Sequence, residues 1–239
     1  MEGTILFTDM IGSSRLWNKY GESMVKYIKR HNTRIKRLSV KYNGEIVKNI
    51  GDSCMILFTG DDTIYRALKF SYNLQKLFDT GPIIIDEVGK DIKKERFLPL
   101  MNKKDDEPDE IKIRIGFAHG SLYKIKSKIQ ECSLYDYLGN TVNVASRMES
   151  VLSPKNGFAF TIMVENYQDI FEHLSINTLL FIKSHCKTKI HIFENSKVEN
   201  IRSGRLLKIT PHVGYDDPKK LKSVDRLIAF TCKNKSPYT

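Results

Sequence analysis

Several things are scarce in this 239-residue chain. Its four cysteines, Cys54, Cys132, Cys186 and Cys232, stand far apart and form no C-x-x-C pair. That spacing speaks against a zinc site or a disulfide framework and suits a reducing compartment. No apolar run approaches the roughly 20 residues of a membrane span. The first ten residues, MEGTILFTDM, lack a basic segment ahead of a long apolar core, so they do not read as a secretory signal. The expectation is a cytoplasmic protein. Acid is scarce relative to base: 28 Asp and Glu against 39 Lys and Arg leave a net charge of +11. Such a balance suits an anionic partner, whether nucleotide, nucleic acid or membrane surface, without choosing among them. There is one tryptophan, no internal repeat and no low-complexity tract.

What is present suits a soluble domain. At 41% hydrophobic and 28% charged the chain can bury a sizeable core. Thr4–Thr8 reads as a strand and Asp9–Ser14 as a turn, with Ser14 capping a helix from Arg15 to about Tyr42. A hairpin over Glu45–Phe58 follows, then a helix over Asp62–Phe78. Thr80–Glu110 holds three of the seven prolines and no clear period, and reads as an insertion or mobile loop. Ile111–Phe117 alternates as a half-buried strand, His119-Gly120 reads as a turn, and Ser121–Ile125 as a return strand. After a loop and a short segment over Leu134–Asn140 come a helix over Val142–Leu152 and strands over Phe158–Val164 and Thr188–Phe193. Beyond Val198 only LIAFTC reads as a strand. This order predicts an α+β fold with helices on one face of a mostly antiparallel sheet.

The hairpin stretch EIVKNIGDSCMILF raises a question of charge. Lys48 and Asp52 would share a face of an unbroken strand, but N-I-G-D reads as a tight turn between two arms. A surface ion pair at the tip is the plain reading, and it would contribute little. Two other stretches change its weight. ILFTDMIGSS delivers Asp9 to a strand end before a short turn and a helix start, where backbone amides bind phosphate well. Two carboxylates at neighbouring strand ends, Asp9 and Asp52, suit Mg²⁺ or Mn²⁺, which prefer hard oxygen ligands. In LYDYLGNTVNVASRMES, Asn143 and Arg147 are spaced i, i+4 and share a helix face.

Taken together and in this order, LFTDMIGSS, IVKNIGDSCM, IRIGFAHG and YDYLGNTVNVASRME resemble the class III nucleotidyl cyclases, the family of adenylate and guanylate cyclases. The resemblance spans residues 3–196, interrupted at 80–110, and leaves 197–239 as a C-terminal extension. It implies a ferredoxin-like, palm-type sheet and a site shared between the two copies of a homodimer. It implies two metal ions, Mg²⁺ or Mn²⁺, held by Asp9, Asp52 and the Met10 carbonyl. The amides of Met10, Ile11, Gly12 and Ser13 would hold the phosphates, Lys48 and Asp136 would read the base, and Asn143 would position the ribose. Arg147 would meet the charge that grows on the α-phosphorus. Family members often carry a lysine–glycine motif that touches the terminal phosphates. Here FIKSHCKTKIHIF has no glycine, so Lys183 or Lys187 is left for that task.

Lys48 offers only donors and Asp136, ionised, only acceptors, a pair complementary to the N1 and N6 edge of adenine. Guanine presents the reverse edge. ATP is therefore favoured over GTP; cytosine presents the same two-group pattern as adenine, so the alternatives are CTP or UTP cyclisation, as in anti-phage signalling, or a guanylate cyclase. A non-catalytic nucleotide-binding module would typically have lost a metal aspartate or Arg147, and neither is lost. A nucleic-acid-processing palm domain would have no evident use for Lys48, Asp136 and the Asn143–Arg147 pair. No sensor module is recognisable, which leaves room for a separate regulator. His119, His185 and Trp17 read as structural.

Overall fold

The computed structural model describes residues 1–85, 109–126, 135–153, 157–163, 169–170, 172–194, 197–199 and 226–235. In chain order the elements begin with β1 (Glu2–Met10), α1 (Ser13–Tyr20), α2 (Met24–Lys41), β2 (Glu45–Ile50), β3 (Ser53–Phe58) and α3 (Thr63–Thr80). Then come β4 (Ile83–Ile85), β5 (Asp109–Ile111), β6 (Ile113–Ser121), β7 (Tyr123–Lys126), β8 (Tyr135–Leu138) and α4 (Asn140–Arg147). The last are β9 (Gly157–Ile162), α5 (Ile176–His185), β10 (Cys186–Glu194), β11 (Lys197–Glu199) and β12 (Arg226–Asn234). Eight strands form one sheet in the order β11-β10-β12-β9-β6-β1-β3-β2. Every described pairing in it is antiparallel except β6 with β9. Two small ladders, β4–β5 and β7–β8, stand apart from it.

The alternation of side chains along each strand divides the molecule into two layers. Leu6, Ile56, Phe58, Ile115, Phe117, Phe158, Phe160 and Phe230 point to one face and form the larger core with α2, α3 and α5. Helix α2 supplies Met24, Tyr27, His31, Ile35 and Leu38, spaced to keep one stripe inward. The rings of Phe117 and Phe160 stack at 4.8 Å, and those of Phe160 and Phe230 at 4.7 Å, across β6, β9 and β12. Each such pair adds about 0.5–1.5 kcal/mol beyond its buried area. The opposite face carries smaller residues, among them Ala118, Ala159 and Ala229, and on it rests α4 through Val144, Ala145 and Met148. The three long helices thus share one face, and the short α4 takes the other.

Several local expectations are corrected. The long first helix is interrupted at Gly21–Ser23 by a 3₁₀ turn, because Gly21 takes a positive φ of 51°. Helix α1 starts at Ser13 with Gly12 as its cap, not at Ser14. His119-Gly120 is no turn: β6 runs through it, paired with β1 as far as Ser121 opposite Glu2. Gly120 is there for closeness, since a Cβ would lie 2.9 Å from Met163 Cβ and from Thr141 Oγ1. The insertion is anchored by the β4–β5 ladder, with residues 86–108 outside the described part. The loop over 127–133 is also outside it. Residues beyond 196 are not all peripheral, because β12 lies between β9 and β10. The stretch between β9 and β10 supplies α5.

His31 is fully buried in α2, edge-on to Phe78 at 5.7 Å. Burial, aided by the charge of Arg34, holds its pKa down at about 4. The unfolded chain therefore binds one more proton than the folded one between pH 6.5 and 4. His31 contributes stability that is fully present above pH 6.5 and falls as pH drops through that window, by about 3 kcal/mol in all. Urea unfolding across this range is expected to show that loss in the native chain and a flatter profile in His31→Leu. Parallel profiles would contradict the assignment.

Candidate active site

Of the candidate side chains, Asp9 and Lys48 lie on the α4 face of the sheet. Asp9, one residue from the end of β1, faces Arg114 directly across the β1–β6 ladder. Its Oδ1 accepts a 2.6 Å hydrogen bond from Ser53 Oγ, and its Oδ2 is ion-paired with the Arg114 guanidinium. Arg114 Nε in turn lies 2.9 Å from Glu149 Oε1. Burial pulls the Arg114 pKa down, but Asp9 and Glu149 outweigh it and the net shift is upward. Glu149 is pushed up to about 7, chiefly by burial; Arg114 opposes the shift, and the charges of Asp9 and Asp52 reinforce it. Asp52 sits in the β2–β3 turn after Gly51, whose φ of 63° makes the tight turn possible.

A divalent cation fits this corner. Asp52 Oδ2 is buried and has no hydrogen-bond partner among the described residues. A buried acceptor left unpaired is costly, and a hard cation shared with Asp9 would satisfy it. Asp9, Asp52 and the Met10 carbonyl are the residues that would hold Mg²⁺ or Mn²⁺. The turn beyond them is shaped by Gly12, in the left-handed region at φ 70°. One expected phosphate ligand is corrected here. The Ile11 amide donates to the Lys112 carbonyl at 2.8 Å, which removes it from the set that can face a phosphate. Met10 itself is buried in the core.

Lys48 reaches the same face through a fault in its strand. Between Ile46 and Lys48 the β2–β3 register shifts, so that Lys48 pairs with Met55 and not with Cys54. Without this β-bulge, Lys48 would share the face of Ile46, which packs on the larger core. With it, Lys48 Nζ meets Asp136 Oδ2 at 2.6 Å. The other Asp136 oxygen accepts from the Tyr137 amide at 2.8 Å, which fixes the carboxylate. Both side chains remain partly exposed, at 37% and 24%. On α4, Thr141, Val144 and Ala145 turn inward, while Asn143 is exposed and Arg147 half-buried. Lys183 lies in the last turn of α5, on the other face of the sheet, and Lys187 is exposed at the start of β10. Three strands separate β10 from β1, so one chain does not bring either lysine to its own Asp9.

The sequence reading passed over Arg114, Glu149 and Ser53. The signal for Arg114 was available: IRIGF alternates, and the even positions of β6 share the face of Asp9. Gly116 on that face is required by contact. A Cβ there would lie 1.9 Å from the Glu149 amide nitrogen, because the chain after α4 relaxes into a π turn over Met148–Leu152 that rests on Gly116.

Known proteins share this fold. The family described as the adenylate and guanylate cyclase catalytic domain matches residues 2–178. The chain belongs to that family. It is 30% identical over 162 residues to the receptor-type adenylate cyclase ESAG 4 of Trypanosoma brucei brucei, covering 62% of this chain but only 13% of that protein. The guanylate cyclase domain of RhGC from Catenaria anguillulae, solved with GTP, superposes with a TM-score of 0.59 at 14% identity over 98% of this chain and 97% of that one. An adenylate cyclase structure from Trypanosoma brucei, solved as a monomer, gives a TM-score of 0.59 at 16% identity over 97% and 87%. The fold is that of class III cyclase domains, and the chain is a nucleotide cyclase catalytic domain. No helix among the described residues is long and apolar enough to cross a membrane.

Gly116→Ala is expected to destabilise the domain by about 1–3 kcal/mol or more, since backbone and not a flexible side chain must yield. Urea denaturation measures it. An unchanged midpoint would show that the Glu149 turn does not rest on this glycine.

Proposed function

We propose that this domain converts ATP to 3′,5′-cyclic AMP and pyrophosphate, at a site completed by a second copy of the chain. The observation that carries the choice of nucleotide is the Lys48–Asp136 pair, a pure donor beside a pure acceptor at 2.6 Å. Adenine inserted between them would accept at N1 from Lys48 and donate from N6 to Asp136. Guanine would set donor against donor. The pyrimidine alternative rests on the same pair, because N3 and N4 of cytosine repeat the pattern.

The need for a second copy is supported by the surface around this pair. Tyr123, Ile125 and Leu138 of the β7–β8 arm and Ile50 at the hairpin tip are large apolar side chains exposed by 42–72%. They flank the base-reading groups and suit burial against another protein surface. In a two-fold dimer, Asp9 and Asp52 of one subunit would face Lys48, Asp136, Asn143 and Arg147 of the other, giving two equivalent sites.

The chemistry divides among the chain's own groups. Asn143 orients the ribose so that its 3′-oxygen lies in line with the α-phosphorus. The new O3′–P bond forms as the bond to the bridging α–β oxygen breaks, and pyrophosphate leaves with that oxygen. Bound Mg²⁺ or Mn²⁺ would supply the charge that acidifies the 3′-hydroxyl and clamps the triphosphate. Arg147 presents a permanently charged fork to oxygens whose charge grows in the transition state. Arg147→Ala should therefore lower kcat by about 10²–10³ with a smaller change in KM.

The test offers ATP, GTP, CTP and UTP separately to purified protein with Mn²⁺, beside Asp52→Ala. Cyclic AMP as the main product, absent from the variant, is expected. Cyclic CMP would keep the mechanism and replace the substrate, whereas cyclic UMP or cyclic GMP, whose bases set an N–H against Lys48, would overturn the base-reading argument. Mixing inactive Asp52→Ala with inactive Arg147→Ala should restore about a quarter of native activity, since half of the dimers would hold one intact site. No restoration would sink the shared site.

A further inference from the structure

Packing alone does not fix α1, the helix that begins at the phosphate-facing turn. Leu16 is its one buried residue, and Trp17 is 38% exposed. Its placement comes from polar contacts that converge on a single carboxylate. Arg15 Nη2 donates to Asp109 Oδ1 at 2.6 Å, while Lys19 Nζ and Tyr20 Oη donate to Oδ2 at 3.0 and 2.8 Å. Arg15 and Lys19 are spaced i, i+4 and lie on one side of the helix. The Asp109 side chain is only 14% exposed, and its carboxyl is held well below the usual range, first by the Arg15 hydrogen bond.

Asp109 opens β5, and β5 pairs with β4 to form the stem on either side of residues 86–108. Three residues on, the Lys112 carbonyl takes the Ile11 amide at 2.8 Å. The short segment 109–112 therefore grips both the body of α1 and the turn that precedes it. We propose that Asp109 is a positioning residue, which fixes α1 and the Gly12–Ser13 turn against the β4–β5 stem and so sets the geometry of triphosphate binding. The inference rests on the cyclase reading for its kinetic consequence but not for its structural one.

Each ion pair taken singly would do little, because Arg15 and Lys19 are 62% and 47% exposed and screened by solvent. The ordering comes from three donors of fixed geometry meeting on one poorly exposed carboxylate. Charge and position also predict opposite signs. Removing Asp109 deletes a negative charge and leaves two cations beside the triphosphate turn. Electrostatics alone would then tighten nucleotide binding. Loss of position would weaken it.

The chain carries its own reporter, since Trp17 on α1 is its single tryptophan. Acrylamide quenching of Trp17 and steady-state kinetics would be measured for Asp109→Ala and Asp109→Glu, with far-UV circular dichroism confirming an intact sheet. Asp109→Ala should raise the quenching constant about 1.5- to 2-fold and the KM for Mn²⁺–ATP about 5- to 20-fold, with kcat within about twofold. Asp109→Glu should recover part of both. Unchanged quenching, a lowered KM, or a fall in kcat at constant KM would each overturn the proposal. Absence of any cyclic product from the native chain would instead defeat the cyclase reading, and the quenching comparison would still decide whether Asp109 holds α1.

Discussion

Three carboxylates crowd one corner of the sheet, and they cannot all be ionised and close without a cation among them. Asp9 and Asp52 sit at neighbouring strand ends, and Glu149 lies buried beneath the π turn. That cation is Arg114, ion-paired with Asp9 and 2.9 Å from Glu149. Much of the surrounding architecture follows from this demand. The antiparallel β1–β6 register has to set Asp9 opposite Arg114. Residue 116 has to be glycine so that the turn carrying Glu149 can descend onto the strand.

The second constraint is geometric. A strand alternates faces with period two, so a lysine four residues from an aspartate has no freedom to choose its side unless the strand is broken. The bulge at Val47–Lys48 breaks it, at the cost of one ladder position on an edge strand. This moves Lys48 from the packing face to the chemical face, where Asp136 waits on a different two-stranded arm. The same β2–β3 hairpin thus places two candidate site residues: its turn carries Asp52, and its bulge turns Lys48 to the α4 face.

How much of this could be read in the sequence varies with the range of the interaction. The strand of ILFTDM, the helix stripe of Ile64, Ala67, Leu68 and Leu74, and the hairpin turn at Gly51 are local patterns, and all were legible. The Asn143–Arg147 face was legible for the same reason. What escaped was set by partners distant in the chain. Gly120 looks like a turn residue until its tight approach to Met163 and Thr141 is known. The bulge at Lys48 depends on the register with β3. LIAFTC is a six-residue run of no special promise, yet Phe230 stacks on Phe160 and inserts β12 into the middle of the sheet. Arg114 stood in a motif already noted, but its task appears only when β1 lies beside β6.

The two faces of the sheet divide labour in a way that decides how the domain must work. One face is closed by α2, α3 and α5 over stacked phenylalanines. The other carries small residues and one short helix, and Asp9, Arg114 and Lys48 lie on it. Small side chains such as Ala118 let α4 lie close, and Ala118, Ala159 and Ala229 are fully buried. Around it remain Tyr123, Ile125 and Leu138, exposed on an arm whose other residues hold Asp136. A rim of exposed apolar side chains beside partly exposed charges is poorly suited to standing alone in water. Covering it with a second copy would bury the rim and bring metal-holding carboxylates against base-reading groups in one step. Assembly and catalysis would then draw on the same surface, so that a change weakening the dimer would also dismantle the site.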